Sequence, residues 1–374
     1  MELIKNAYFL KSFYCLGKNY NECFDCAYCR ARGKEDREFV KVPSEINPLF
    51  KDLPVAVNIF YGDPILYADD TVKYLKALEK AEHRGPVVII TKGYINTKSG
   101  LKIFDRDWKL NIHVGLSYFG NNEYDTHGTE HVIKSNLEWL AECGKDYTYN
   151  IEYRPLINGI NDTEWNLVTI FGLAKKYNTS IAYSGLQVEK ELEEYIKEKN
   201  LPFKPYDGFD FGMKKNVSKE IEDKLRAYSG IYEVPIFKKT SCAITYARRL
   251  DRDYNAHYYR PNEVGCPNCP RRVFCELFKR ENVSQKLIKK LPESLGLKLV
   301  WKDKHQCRLH RKGLCKFPSH DCMNINGWLL QTDKVLTTSD VRVIKWLTGF
   351  TVDADFTELP YISEDWYISK GGNV

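Results

Sequence analysis

The chain has 374 residues, 43% of them hydrophobic, and 56 Lys and Arg against 50 Asp and Glu give it a formal net charge of +6. That length supports one large domain of about 200–250 residues with an appendage, and the mildly basic balance is compatible with a polyanionic substrate without requiring one. No apolar run reaches the roughly 18 residues of a membrane-spanning helix, and the opening MELIKNAYFLKSFYC lacks a signal-peptide core and cleavage site, so no membrane partner is expected and the expected location is the cytoplasm.

Strand-like apolar runs recur at residues 3–10, 55–60, 87–90, 111–118, 147–154 and 180–183. Helical periodicity near residues 69–84, 128–142 and 162–177 separates several of them. Strands alternating with helices predict parallel βαβ units. Six such strands predict an α/β fold, a partial (β/α)6 TIM-type barrel with a cysteine-rich C-terminal extension. The expected division is a core barrel over residues 1–190, a barrel extension over 191–284 and a small C-terminal module over 285–374. Strand alternation puts Asn111, His113, Gly115 and Ser117 on one face of the fourth predicted strand, and Asn150, Glu152 and Arg154 on one face of the fifth. Polar side chains inside a barrel are costly unless paired or used. Mutual pairing is the expected state of His113, while pairing and function stay open for Glu152 and Arg154.

The twelve cysteines argue for metal binding rather than disulfides in a reducing compartment, and they are grouped: four at 15–29, Cys143 alone, four at 242–275 and three at 307–322. The first group, Cys15, Cys23, Cys26 and Cys29, directly follows the first predicted strand. In parallel barrels the working residues gather at the C-terminal ends of the strands. Thiolates so spaced can converge on one metal centre, and the intervening glycine and asparagines let the backbone turn tightly. Spacing alone leaves a structural zinc and an iron–sulfur cluster open. The second group, Cys242, Cys266, Cys269 and Cys275, would complete a four-thiolate site, again iron–sulfur or zinc. In the C-terminal module Cys307, Cys315 and Cys322, with a nearby histidine, would suit a zinc ion or be unligated thiols. Basic and aromatic residues mix there (Trp301, Lys302, Arg308, Arg311, Phe317, Trp328), as they do both on solvated hairpins and on nucleic-acid-binding surfaces. Cys143, at a helix end before Gly144, reads as a structural thiol.

The segment Tyr20-Asn21-Glu22-Cys23-Phe24-Asp25-Cys26-Ala27-Tyr28-Cys29 resembles the cluster loop of radical S-adenosylmethionine (SAM) enzymes, closest to the branch that includes spore photoproduct lyase. Those loops end in cysteine, any residue, aromatic, cysteine, as in Cys26-Ala27-Tyr28-Cys29. The family usually leaves three residues between its first two cysteines, whereas Cys23 and Cys26 leave two, so Cys15 stands as the alternative first ligand. Further segments carry the resemblance in order. Tyr61-Gly62-Asp63-Pro64 is similar to the Gly-Gly-Glu-like motif that holds the amino group of SAM. Thr91-Lys92-Gly93 follows the third predicted strand. Arg154-Pro155-Leu156-Ile157-Asn158-Gly159-Ile160-Asn161-Asp162 resembles the segment whose backbone lies near the adenine, with Asn158 in place of the family's proline. Asn161 or Asp162 also reads as a helix N-cap. The spacing of Cys266, Cys269 and Cys275 resembles the SPASM or twitch type of auxiliary-cluster domain, without the full pattern.

The resemblance implies a [4Fe–4S] cluster held by Cys26, Cys29 and either Cys23 or Cys15, and SAM contacted by Tyr61, Gly62, Asp63, Ser117, Arg154, Asn158 and Ile160. It implies reductive cleavage of SAM to a 5′-deoxyadenosyl radical that abstracts hydrogen from a substrate. It further implies a second [4Fe–4S] cluster and an electron donor such as flavodoxin or ferredoxin. The catalytic residue for substrate and the fate of SAM, consumed or regenerated, are not written in the motifs. A nucleotide or nucleic acid is the expected substrate. A peptide or protein substrate is the alternative, disfavoured because only fourteen residues precede Cys15, leaving no room for a leader-binding domain. A non-catalytic, zinc-stabilised nucleic-acid-binding protein is the alternative of another class.

Overall fold

The computed structural model describes residues 26–28, 55–57, 63–120, 123–186, 188, 190–203, 217–249, 295–305, 325–337, 344 and 351–357. Six strands, β1 (Val55–Val57), β2 (Pro86–Thr91), β3 (Asn111–Tyr118), β4 (Thr148–Leu156), β5 (Ile181–Gly185) and β6 (Ile236–Phe237), form one sheet in sequential order. Every neighbouring pair is parallel. Sequential parallel order with right-handed crossovers stacks the connecting helices on one face of the sheet. The result is a partial TIM-type barrel, the α/β fold expected. The predicted strand at residues 3–10 lies outside the described residues. The sheet gains β6 instead, beyond the last strand legible from pattern, so it runs past residue 190.

The helices follow from periodicity and caps. α1 (Ala68–Lys80) has Asp69 and Asp70 in its first turn and Lys80 in its last, matching the helix dipole. α2 (Lys98–Phe104) starts where the Thr97 hydroxyl accepts from the Gly100 N–H, and α4 (Glu164–Lys176) where the Thr163 hydroxyl accepts from the Asn166 N–H. The N-cap of α4 is therefore Thr163, not Asn161 or Asp162, whose side chains are engaged in the preceding loop. α3 (Glu130–Glu142) ends at Cys143, whose thiol lies against the Leu140 carbonyl, and Gly144 turns the chain at φ +67°. α5 (Lys190–Glu198), α6 (Lys219–Tyr232) and α7 (Thr240–Ala247) complete the helices named here.

Strand alternation sorts the two faces of the sheet. Val87, Ile89, Ile112, Val114, Leu116, Ile151, Ile181 and Ile236 face outward and are buried against apolar side chains of α1, α2, α3, α4 and α6. The opposite, lumen face carries His113, Gly115, Ser117, Asn150, Glu152 and Arg154, which the register sets side by side: His113 opposite Thr148, Gly115 opposite Asn150, Ser117 opposite Glu152. α7 lies on this lumen face, where Ala243 and Cys242 pack on Ala182 and Phe237.

A separate three-stranded sheet is formed by β7 (Lys298–His305), β8 (Ile325–Thr337) and β9 (Thr351–Thr357). β7 and β8 pair antiparallel, as a hairpin would, but β9 joins β8 in parallel. Leu330, Leu336, Val352 and Ala354 on these strands are buried. No helix among the described residues is long and apolar enough to cross a membrane.

Candidate active site

The loops leaving the C-terminal ends of β1, β2, β3 and β4 are braced by buried polar side chains. Asp63 closes the β1 side. Its Oδ1 accepts from the Ile65 N–H at 2.9 Å and the Thr91 hydroxyl at 2.7 Å, and its Oδ2 accepts from the Lys92 N–H at 2.6 Å. Burial pushes the Asp63 carboxyl up from its ordinary value, against the pull of these donors. Asn136 spans the next loop, accepting from the Ile95 N–H and donating to the Gly93 carbonyl. Asn161 does the same after β4, accepting from Ile157 N–H and donating to the Pro155 carbonyl, while Asp162 accepts from the Gly159 N–H. Tyr118 and Tyr153, adjacent in register, donate their hydroxyls to the Asn166 side chain and the Asn161 carbonyl. Gly120, at φ +101°, leaves room for Asn166, whose amide lies 2.6 Å from where a Cβ would stand.

The segment Cys26-Ala27-Tyr28 is seated on this edge. Tyr28 is buried and stacks on Phe119, with ring centroids 4.3 Å apart. The Ala27 N–H donates to the Tyr124 carbonyl at 3.1 Å. The Tyr28 hydroxyl hydrogen-bonds Asp125, and the Lys92 ammonium reaches the Cys26 sulfur at 3.0 Å, Asp125 Oδ2 at 2.6 Å and the Tyr28 hydroxyl. Asp125 is itself fixed, since its Oδ1 accepts from the His127 and Gly128 N–H groups. Burial alone would raise the Asp125 carboxyl. The Lys92 charge and hydrogen bond, with those from Tyr28 and Gly128, outweigh burial and hold it below its ordinary value. Burial likewise opposes the Lys92 charge, but the Cys26 and Asp125 charges raise its pKa well above the ordinary lysine value. Burial raises the Tyr28 phenol, and the neighbouring Cys26 and Asp125 charges raise it further. Leu186, Val188, Leu192 of α5 and Phe203 complete an apolar bed under Tyr28, and Ile160 packs against it.

A second polar chain crosses the lumen face. His113 bonds Thr148 Oγ1 through Nδ1 at 2.9 Å and Asn150 Oδ1 through Nε2 at 2.7 Å. The Asn150 amide donates to Glu152 Oε1 at 2.9 Å, which makes Oδ1 the acceptor and Nε2–H the His113 donor. Burial lowers His113 to about 4, so it is neutral at neutral pH. Glu152 Oε2 accepts from the Thr240 hydroxyl at 3.0 Å and pairs with Arg154. Thr240 opens α7, two residues before Cys242. Gly115 makes room for this chain, because a Cβ there would stand 3.0 Å from Ile90 Cγ1 and 3.1 Å from Glu152 Cγ.

Of the residues singled out from sequence, Cys26, Asp63, Ser117, Arg154, Asn158 and Ile160 lie at or near the C-terminal edge of the sheet. Ser117 is buried on the lumen face, Arg154 is partly exposed at the end of β4, and Asn158 is exposed at the loop tip. Cys242 lies on α7 over the lumen face. Cys15, Cys23, Cys29, Tyr61 and Gly62 fall outside the described residues, as do Cys266, Cys269, Cys275, Cys307, Cys315 and Cys322. Among the described residues no group of three or more metal-ligating side chains converges, and Cys26, Cys143 and Cys242 form no disulfide. Sequence reading missed Tyr124 and Asp125. The signal was available in Asp125-Thr126-His127-Gly128, an Asx-type turn in the connection between β3 and α3.

Comparison with models of known protein families finds no match, and comparison with curated proteins finds none. Solved structures do match. One is a radical SAM methyltransferase from Sphaerobacter thermophilus, 14% identical, with a TM-score of 0.35, covering 49% of this chain and 49% of that one. Another is SuiB from Streptococcus suis, 14% identical, with a TM-score of 0.37, covering 60% of this chain and 46% of that one. A third is a cysteine-to-serine mutant of spore photoproduct lyase, 13% identical, with a TM-score of 0.34, covering 50% of this chain and 60% of that one. The matched part thus spans about half the length of these solved chains.

Proposed function

We propose that this chain is a radical SAM enzyme acting on a nucleotide or nucleic acid. The observation that carries the reading is the seat of Cys26-Ala27-Tyr28 on the C-terminal edge of a parallel sheet, with a cation against the Cys26 sulfur. The donor chemistry fits an iron–sulfur cluster: a soft thiolate, balanced in charge by Lys92, in a cysteine-rich loop. Cys26 and Cys29, with Cys23 or Cys15, would hold the cluster. When bound, a [4Fe–4S] cluster would supply the electron for reductive cleavage of SAM and so the radical chemistry that takes a hydrogen atom from substrate. The chain's own residues bind and orient. Arg154, anchored by Glu152, offers its outward donors to the SAM carboxylate, and Ser117 offers a hydroxyl to the carboxylate or ribose. Asn158 and Ile160 on the β4 loop would contact the adenine. Asp63 contributes chiefly by tying its own loop to the end of β2 through Ile65, Thr91 and Lys92, since three of its about four acceptor sites are already used within the chain.

Cys242, Cys266, Cys269 and Cys275 would hold a second [4Fe–4S] cluster, and a flavodoxin- or ferredoxin-type protein in the cytoplasm would supply the electron. A zinc ion at Cys307, Cys315 and Cys322 would stabilise the C-terminal module. The net charge and basic, aromatic composition of that module support nucleic acid as substrate. The test is anaerobic purification with iron and sulfide quantification, then a dithionite-driven assay for 5′-deoxyadenosine. About eight irons with activity, abolished in Cys26→Ala, is the expected result for two clusters. About four irons with activity would make the second site zinc. A protein with zinc, no iron and no SAM cleavage would overturn the reading. Absence of any salt-sensitive binding to nucleic acid would remove that substrate class.

A further inference from the structure

The contact between Lys92 and Cys26 has a consequence of its own, resting on the iron–sulfur reading above. Lys92 leaves the end of β2, and its ammonium is largely buried, with 14% of the side chain exposed. Three groups surround it: the Cys26 sulfur at 3.0 Å, Asp125 Oδ2 at 2.6 Å and the Tyr28 hydroxyl. The Tyr28 ring lies beneath it, 4.3 Å from the ring centroid to Nζ. Asp125 cannot easily follow a displaced lysine. Its second oxygen is tied to two backbone N–H groups, and its side chain is fully buried. Gly128 permits this geometry, because a Cβ there would stand 3.0 Å from Asp125 Oδ2 and 3.0 Å from the Phe119 nitrogen.

A hydrogen bond from a cation to a ligating thiolate withdraws electron density from the sulfur and stabilises the reduced, more negative cluster. We propose that Lys92 sets the reduction potential of the iron–sulfur site through its hydrogen bond to Cys26, and that Asp125 is the positioning residue that holds the ammonium on the sulfur. Asp125 acts through Lys92, to which it is bonded at 2.6 Å. Its role is to keep the lysine from turning to solvent, and Tyr28 closes the remaining side.

The experiment is a dye-mediated potentiometric titration of the anaerobically reconstituted full chain without SAM, followed by electron paramagnetic resonance. The relevant signal is the one that Cys26→Ala removes. Lys92→Met is expected to lower the potential so that the reduced-to-oxidised ratio at fixed potential falls about tenfold, equivalent to about 59 mV for one electron. Lys92→Arg, which keeps a cationic donor, is expected to stay closer to the unmodified chain. Asp125→Asn decides the positioning role. Removing an anion that acts only through space would raise the potential, whereas releasing the lysine lowers it, and lowering is the expected result. Should Lys92→Met fold but lose its iron while Lys92→Arg retains it, the cation–sulfur contact is again supported. An iron-bearing parent whose potential is unmoved in Lys92→Met overturns this inference alone. A raised potential in Asp125→Asn overturns the positioning role. A parent chain that takes up no iron overturns the enzyme reading and this inference with it.

Discussion

The Asp63 carboxylate accepts the Lys92 backbone N–H at 2.6 Å, while the Lys92 side chain turns away from it toward Cys26. One residue at the end of β2 thus ties the β1 loop through its backbone and the cysteine loop through its side chain. Asp63 also holds Thr91 and Ile65. Replacing it by asparagine puts an amide NH₂ where one acceptor oxygen stood, so at least one buried backbone N–H loses its partner. Asp63→Asn is expected to cost about 1–3 kcal/mol and Asp63→Ala about 3–5 kcal/mol in urea unfolding. Equal stability of the alanine variant would show that these bonds contribute little.

The lumen chain predicts a second pair of outcomes. Glu152→Gln keeps hydrogen-bonding capacity toward Asn150 and Thr240 but loses the ion pair with Arg154. Arg154 can reach water, so the expected loss is about 1–2 kcal/mol. Glu152→Ala strands Asn150 and Thr240 as well and is expected to cost about 3–5 kcal/mol. Thermal unfolding with matched denaturant curves separates the two.

His113 supplies a pH dependence. Its folded pKa, about 4, lies below the ordinary histidine value, so the unfolded chain binds its proton first as the pH falls. The stabilising contribution is whole above about pH 6.5 and is lost as the pH falls toward 4, amounting to about 2 kcal/mol by pH 5. His113→Gln is expected to show a flatter decline in unfolding free energy between pH 7.5 and pH 5 than the parent chain. Parallel declines would assign the acid sensitivity elsewhere.

Two glycines separate crowding from backbone strain. Gly115→Ala presses on Ile90 and Glu152 within a packed interior and is expected to destabilise by about 1–3 kcal/mol. Gly144→Ala meets nothing within 4 Å but sits at φ +67°, so only the left-handed backbone resists it, at about 1–2 kcal/mol. Ile90→Ala in the Gly115→Ala background is expected to recover little, since the cavity it opens offsets the relief. Chemical denaturation of the single and double variants checks all three.

The amino-acid sequence by itself determined the parallel architecture and its lumen face. The run Val87–Ile90 is apolar because it lies in a largely buried strand, and the alternation in Asn111–Tyr118 and Thr148–Leu156 puts His113, Glu152 and Arg154 on one side. That His113 serves its neighbours was also legible, because a buried imidazole needs partners and β4 supplies polar ones. The last strand, Ile236–Phe237, was not legible: two residues carry no periodicity, and only their pairing with β5 reveals them. Nor was the meeting of Tyr28, Lys92 and Asp125, which are 33 to 97 residues apart in the chain. The tertiary structure alone decided that meeting, because a parallel sheet returns each successive loop to the same edge. There side chains from distant segments balance charge and hydrogen bonds that no local pattern records.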